Sequence, residues 1–245
     1  MSTLTQQEDF TKIDKLRQNK FTWPKREKTV WLIGPINPYI PSGFKNKFFL
    51  FIDGGAKIYP LLPLNKRTLL MGDGDSLSHK NQSLKNHFHF LFSKNKNFTD
   101  LEGALNILPK NLKNLHCIGF LGGKREDFQL LQFHLLEKFA LQKKTLRHIS
   151  LYSSKKKLGW LLLTPGTHLI NFTGNFSVLT SKTQQINLVG KLAYPGKVKI
   201  LSWSGIGINN ESKSNSFTIT CEKNLWIHFH ESSRQCPKYV RTLVK

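Results

Sequence analysis

Phe48-Phe49-Leu50-Phe51-Ile52-Asp53-Gly54-Gly55-Ala56 has the pattern of a buried strand that runs into a helix. Its first five residues are apolar without interruption, as in a parallel strand covered on both faces. The run ends in a carboxylate, and two glycines then open a short helix expected over 56–62. Similar runs flank it: Thr29-Val30-Trp31-Leu32-Ile33, Thr68-Leu69-Leu70-Met71, Phe88-His89-Phe90-Leu91-Phe92 and Leu115-His116-Cys117-Ile118-Gly119-Phe120. Helical spacing lies between them. Leu101, Ala104, Leu105 and Leu108 share one face over 100–108, and Leu130, Leu131, Phe133, Leu135, Leu136 and Phe139 make a broad face over 126–141. Strand and helix in alternation predict an α/β domain over 26–145 with a parallel sheet.

The texture changes after Lys144. Short β-rich runs follow at 148–152, 159–163, 168–172, 176–179, 186–189, 198–203, 216–220 and 225–229, punctuated by Gly, Pro, Asn and Ser. That spacing predicts an all-β second domain, a sandwich or barrel, over 146–245. Trp160, Trp203 and Trp226 are expected in its core, because aromatic rings bury large areas. Residues 1–25 read as a basic extension.

The chain has 245 residues, 39% of them hydrophobic, which is enough to bury a core. Its three cysteines, Cys117, Cys221 and Cys236, are widely spaced and outline neither a metal site nor a disulfide framework. No signal pattern opens the sequence, and no apolar run approaches ~18 residues. A cytoplasmic protein that does not enter a membrane is expected. The formal charge is +22, from 37 Lys+Arg against 15 Asp+Glu, and a balance this basic attracts phosphates and polyanions. Against that background the acids are informative. Five of the seven aspartates are Asp53, Asp73, Asp75, Asp100 and Asp127, and none follows Asp127.

Each of these aspartates stands just after an expected strand, where open parallel sheets bind ligands. In Asp53-Gly54-Gly55 the glycines let backbone approach an anion at a helix start. In Gly72-Asp73-Gly74-Asp75-Ser76 two carboxylates at i and i+2 point the same way in extended chain, which suits Mg²⁺. In Thr99-Asp100-Leu101-Glu102 the threonine and glutamate form a capping box and leave Asp100 free to face outward. In Gly122-Gly123-Lys124-Arg125-Glu126-Asp127 the Arg125 fork suits phosphate, although the acids also suit a helix start. The pairs His87/His89 and His228/His230 each share a strand face, but no third zinc ligand is evident.

Taken in order, these segments resemble the thiamine pyrophosphokinase family. Asp53-Gly54-Gly55-Ala56 is similar to its D-G-G-A, Gly72 to Ser76 to its G-D-x-D-S, Thr99 to Leu105 to its T-D-x-E-x-A-L, and Arg125-Glu126-Asp127 to its R-x-D. Gly207-Ile208-Asn209-Asn210-Glu211 resembles its S-N-E turn, with Asn209 in place of serine. Before Thr99-Asp100, Asn97 stands where the family has an acid. The resemblance implies an α/β domain that binds ATP, a sandwich domain, and a homodimer holding thiamine between the two kinds of domain. It implies Mg²⁺ on Asp73, Asp75 and Asp100. It implies a nucleotide site with Asp53, Gly54, Gly55, Gly72, Asp75, Ser76, Thr99 and Arg125, and catalytic roles for Asp73, Asp100, Arg125 and Asp127. Asn209, Asn210 and Trp226 would contact thiamine. The expected reaction passes the pyrophosphoryl group of ATP to the thiamine hydroxyl, with Asp100 or Asp127 taking the proton. The alternatives are a diphosphokinase for another alcohol, such as a pterin, and a basic nucleic-acid-binding relative without catalysis.

Overall fold

The computed structural model describes residues 23–41, 43, 47–61, 67–75, 89–93, 95–153, 157–230 and 239–244. The first half contains β1 (Thr29–Ile33), β2 (Phe48–Ile52), β3 (Thr68–Gly72), β4 (Phe90–Leu91), α1 (Asp100–Ile107), β5 (Asn114–Ile118), α2 (Glu126–Gln142) and β6 (His148–Tyr152). The expected helix at 56–62 is instead a 3-10 segment, Asp53–Leu61. Pro60 inside it has no amide hydrogen and blocks α-helical bonding. Leu62, Ser76, Phe88 and most of the expected extension at 1–25 lie outside the described residues.

Six strands pair in parallel in the order β4-β3-β2-β1-β5-β6. The chain lays down β2, β3 and β4 on one side of β1, then crosses back to place β5 and β6 on the other. The strand order therefore reverses at β1, where such sheets open a crevice beyond their carboxyl ends. Both faces of the central strands are covered, which explains their unbroken apolar sequences. Val30, Leu32, Phe48 and Leu50 pack under α1 and α2, and Trp31, Ile33, Phe49 and Phe51 pack on the opposite face with Ala56.

The second half contains β7 (Leu158–Leu163), β8 (Gly166–Asn171), β9 (Gly174–Leu179), β10 (Gln184–Val189), β11 (Gly196–Ile200), β12 (Asn210–Ser212), β13 (Phe217–Cys221), β14 (Leu225–Phe229) and β15 (Tyr239–Val244). Strands β7, β14, β9 and β12 extend the first sheet antiparallel from β6 and make it ten-stranded. The other five form a second sheet, β11-β10-β13-β8-β15. The two sheets enclose Leu161, Leu163, Ile170, Phe176, Ile186, Ile219 and Ile227. The architecture is thus an α/β domain followed by a β-sandwich, with one sheet running through both. The expected boundary at residue 145 falls in the turn between α2 and β6.

Two sequence expectations fail locally. The run at 198–203 ends as a strand at Ile200, and Trp203 is 66% exposed with φ of 52°, not part of the core. Strands β12 and β15 are not expected from the sequence, because Asn210-Glu211-Ser212 has no apolar alternation and Tyr239–Val244 returns only after a polar stretch.

A histidine is buried where β6 joins the halves. His148 is 8% exposed and its Nδ1 has no hydrogen-bond partner among the described residues. Burial first, then the nearby His168 and Arg147, push its pKa down to about 4. His116 stands beside it with rings 5.8 Å apart, is likewise pushed well down by burial, and lies near Lys47. The unfolded chain takes up a proton at His148 near pH 6.5, whereas the folded chain does so only near 4. Stability is therefore lost as pH falls through that window, by up to roughly 3 kcal/mol from this group. His148→Leu is expected to remove most of that loss, measured by urea unfolding at pH 7 and pH 4.5. An unchanged difference between the two pH values would show that His148 is not the cause.

Candidate active site

Beyond the carboxyl ends of β1, β2, β3 and β5 lies a cavity of about 380 Å³. It has two kinds of wall. Asp53, Asp73, Asp75, Asp100 and Lys96 form a charged side, and Phe98, Phe120, Phe128, Leu131 and Leu135 form an apolar side. Phe128, Leu131, Gln132 and Leu135 follow i, i+3, i+4, i+7 spacing along α2, so one face of that helix supplies the apolar wall. A larger cavity of about 510 Å³ lies at the C-terminal end of α2, against turns of the sandwich. Its buried groups are already paired, for Thr164 Oγ1 donates to Leu146 O and Ser181 donates to Glu137. The smaller cavity has the chemistry.

Its acids are placed by local geometry. Asp53 ends β2 with φ of 46°, an uncommon backbone conformation for a residue with a side chain, and accepts a 3.1 Å hydrogen bond from Gly74 N–H. That bond ties the end of β2 to the turn after β3. Gly72 permits the approach. Its φ is 137°, and a Cβ there would stand 2.9 Å from Asp53 Cα. Gly55 is required for packing, because a Cβ would meet Ile33 O at 2.1 Å. Asp73 Oδ1 accepts from Asp75 N–H at 3.0 Å, which turns both carboxylates to one side. Asp53, Asp73 and Asp75 each bring an oxygen within 4.8 Å of the others. The resemblance points to Asp100 as the third ligand; the structure gathers Asp53 with Asp73 and Asp75 instead.

Asp100 stands on the far side of Lys96. Lys96 Nζ donates to Asp73 Oδ2 at 2.5 Å and forms an ion pair with Asp100 Oδ1 at 3.2 Å, and its side chain is 10% exposed. Lys96 belongs to the lysine-acid run that precedes Thr99-Asp100 in the resemblance, which gives it no role of its own; its partners appear only in the folded chain. Asp100 is presented by the capping box: Glu102 N–H donates to Thr99 Oγ1 at 3.2 Å and Thr99 N–H to Glu102 Oε2 at 2.8 Å. Both bonds fix the start of α1, and Asp100, its first residue, faces the cavity.

The electrostatics divide the two acids that flank Lys96. Burial raises the pKa of Asp73, but hydrogen bonds from Lys96 and from Asp75 N–H outweigh it, and the net shift is downward. For Asp100 burial dominates; Lys96 opposes it, the charges of Asp73 and Asp53 add to it, and the pKa is pushed up to about 6. Three carboxylate oxygens within 4.8 Å of one another could hold a small divalent cation such as Mg²⁺, which leaves its other positions to water and phosphate.

The remaining expected site residues lie elsewhere. Arg125 and Asp127 pair with each other through two hydrogen bonds, of 2.9 and 2.6 Å, and are more than 60% exposed. Neither lines the cavity. Gly54 is buried at the start of the 3-10 segment, and Ser76 lies outside the described residues. Asn209 is exposed with φ of 61°, and its N–H donates to Ser177 Oγ at 3.2 Å. Asn210 is buried, and its side chain bonds both N–H and C=O of Tyr194. Trp226 is 2% exposed in the core, edge-on to Phe133 and Trp160. His228 packs tilted against Trp160 and His230 bonds Ser177 Oγ at 2.9 Å. Among the described residues the aspartate trio is the one metal-ligand group.

A raised carboxyl pKa has a stability consequence. Folding favours the protonated Asp100, so its contribution is present below about pH 4 and is lost as pH rises through about 6. At pH 8 Asp100→Asn is expected to stabilise the metal-free protein by roughly 1–2 kcal/mol, a gain that fades below pH 4. Chemical denaturation in EDTA at both pH values measures it.

Comparison with known proteins bears on the fold. No protein-family model and no curated protein matches the chain. Among solved structures, thiamine pyrophosphokinase from Bacillus subtilis is 22% identical with a TM-score of 0.65, covering 88% of this chain and 99% of that one. The thiamin pyrophosphokinase from Geobacillus thermodenitrificans is 21% identical with a TM-score of 0.63, covering 84% and 100%. The one from Candida albicans is 16% identical with a TM-score of 0.64, covering 82% and 88%. The chain has the fold of these thiamine pyrophosphokinase structures along nearly their whole length.

Proposed function

We propose that the chain is a Mg²⁺-dependent thiamine pyrophosphokinase, which passes the pyrophosphoryl group of ATP to the hydroxyl of thiamine and releases AMP. The observation that carries this reading is the convergence of Asp53, Asp73 and Asp75 at adjacent strand ends, in a fold shared with solved thiamine pyrophosphokinases. Asp53, Asp73 and Asp75 would hold the ion, which when bound neutralises charge on the phosphate oxygens. The apolar wall of Phe120, Phe128, Leu131 and Leu135 offers a dry surface for a flat ring.

The reaction needs a group to receive the hydroxyl proton. Asp100 lines the cavity, whereas Asp127 lies outside it and is held by Arg125. The geometry therefore supports Asp100 as the base. Lys96 supplies a positive charge where phosphate oxygens would lie, the role that the resemblance gives to Arg125. A homodimer that completes the thiamine site is supported by Phe128 and Leu131, which line the cavity and which α2 leaves 43% and 38% exposed.

The test is direct. Purified protein incubated with ATP, Mg²⁺ and thiamine is expected to yield AMP and thiamine diphosphate in equal amounts. Failure to form either at high enzyme concentration would falsify the substrate assignment, and a pterin alcohol in the same assay tests the nearest alternative. Asp73→Asn is expected to lower turnover at least about 100-fold and to raise the Mg²⁺ concentration required. A variant with full activity would remove Asp73 from the metal site.

A further inference from the structure

We propose that Lys96 is a tethered cation that competes with the metal ion for Asp73, so that the site takes up the ion with a phosphate ligand and binds it poorly alone. The proposal rests on the reading that the carboxylates hold a divalent cation beside the phosphates of ATP.

Asp73 is the shared member of two groups. Its Oδ1 accepts the Asp75 N–H, and its Oδ2 accepts Lys96 Nζ at 2.5 Å. The same side chain contributes to the oxygen trio with Asp53 and Asp75. A dication placed at the trio would sit close to an ammonium that has little access to solvent, since the Lys96 side chain is 10% exposed. Like charges at short range in a half-buried site repel strongly. The ammonium cannot swing freely into water. Lys96 lies three residues before the N-cap Thr99 of α1, and its Nζ stands 5.9 Å from the ring centre of Phe92 and 3.2 Å from Asp100.

An ion that arrives with polyphosphate changes the balance. Phosphate oxygens would then face Lys96 and give it an anion in exchange for Asp73 Oδ2, which turns to the metal. Each ligand removes the obstacle to the other, so their binding is mutually reinforcing. Without ligands, Lys96 offsets part of the charge of Asp73 and Asp100 and pairs with both. In this role Lys96 is a positioning residue. A simple structural counter-ion would have the opposite signature, because its removal would loosen the carboxylates and weaken metal binding.

The experiment measures Mn²⁺ binding by electron paramagnetic resonance and metal-free ATP binding by calorimetry, without thiamine. Lys96→Met is expected to bind Mn²⁺ alone at least about tenfold more tightly than the wild type, and ATP in EDTA at least about tenfold more weakly. Lys96→Arg, which keeps the charge, is expected to stay within about threefold of wild type for both. Unchanged or weaker Mn²⁺ binding by Lys96→Met overturns the proposal. If Lys96→Met does not fold, Lys96→Gln is read by the same criteria. If neither folds, the wild type decides: Mn²⁺ must tighten ATP binding at least about tenfold, and a smaller effect overturns the competition. The two readings fail separately. Tighter Mn²⁺ binding in a protein that makes no thiamine diphosphate removes the substrate alone, and an active enzyme whose Lys96→Met variant binds Mn²⁺ as wild type does removes Lys96 alone.

Discussion

Strand β6 is hydrogen-bonded in parallel to β5 on one side and antiparallel to β7 on the other. This double pairing is the constraint on which the rest depends. It makes the α/β half and the sandwich share one sheet, so the two cannot turn against each other without breaking backbone hydrogen bonds. Helix α2 reinforces the join. Its Leu136 and Phe139 pack over the parallel strands, while Phe133 meets Trp160 and Trp226 from the sandwich. The same helix supplies Phe128, Leu131 and Leu135 to the cavity. The apolar wall of the site is therefore held by the contact that fuses the two halves.

Within that frame the site is an island of negative charge in a protein of formal charge +22. Gathering carboxylates costs free energy, and the fold offsets it with specific partners. Gly74 N–H donates to Asp53, Asp75 N–H to Asp73 and Lys96 to Asp73, and Lys96 also forms an ion pair with Asp100. The raised pKa of Asp100 shows that the compensation is incomplete there. Such residual cost is common where a site is shaped for a ligand and not for its own stability.

Much of the fold was legible in the residues. Strands β1 and β2 have the expected ends, and α1 and α2 begin where expected, because unbroken apolar runs, glycines and a capping box are local signals. The failures share a cause. Trp203 and Trp226 are the same residue type in similar β-rich surroundings, yet one is 66% exposed and the other 2%. Trp226 lies on the face of β14 that Phe133 covers, and Trp203 lies in a turn with positive φ that leaves it exposed. Burial depends on what the chain brings alongside, and no local window contains that.

The sequence by itself determined most of the elements, the α/β-then-β order and the placement of Asp53, Asp73 and Asp100 at strand or helix ends, because each follows from patterning over a few residues. Only the tertiary structure decided that Asp53 joins Asp73 and Asp75, that Asp100 stands across Lys96, and that Arg125 and Asp127 pair outside the cavity. Residues 20 and more apart meet through the register of β2 against β3 and the return of α1 over them. Which oxygen then faces which cation is a matter of ångströms in space, and spacing along the chain does not carry it.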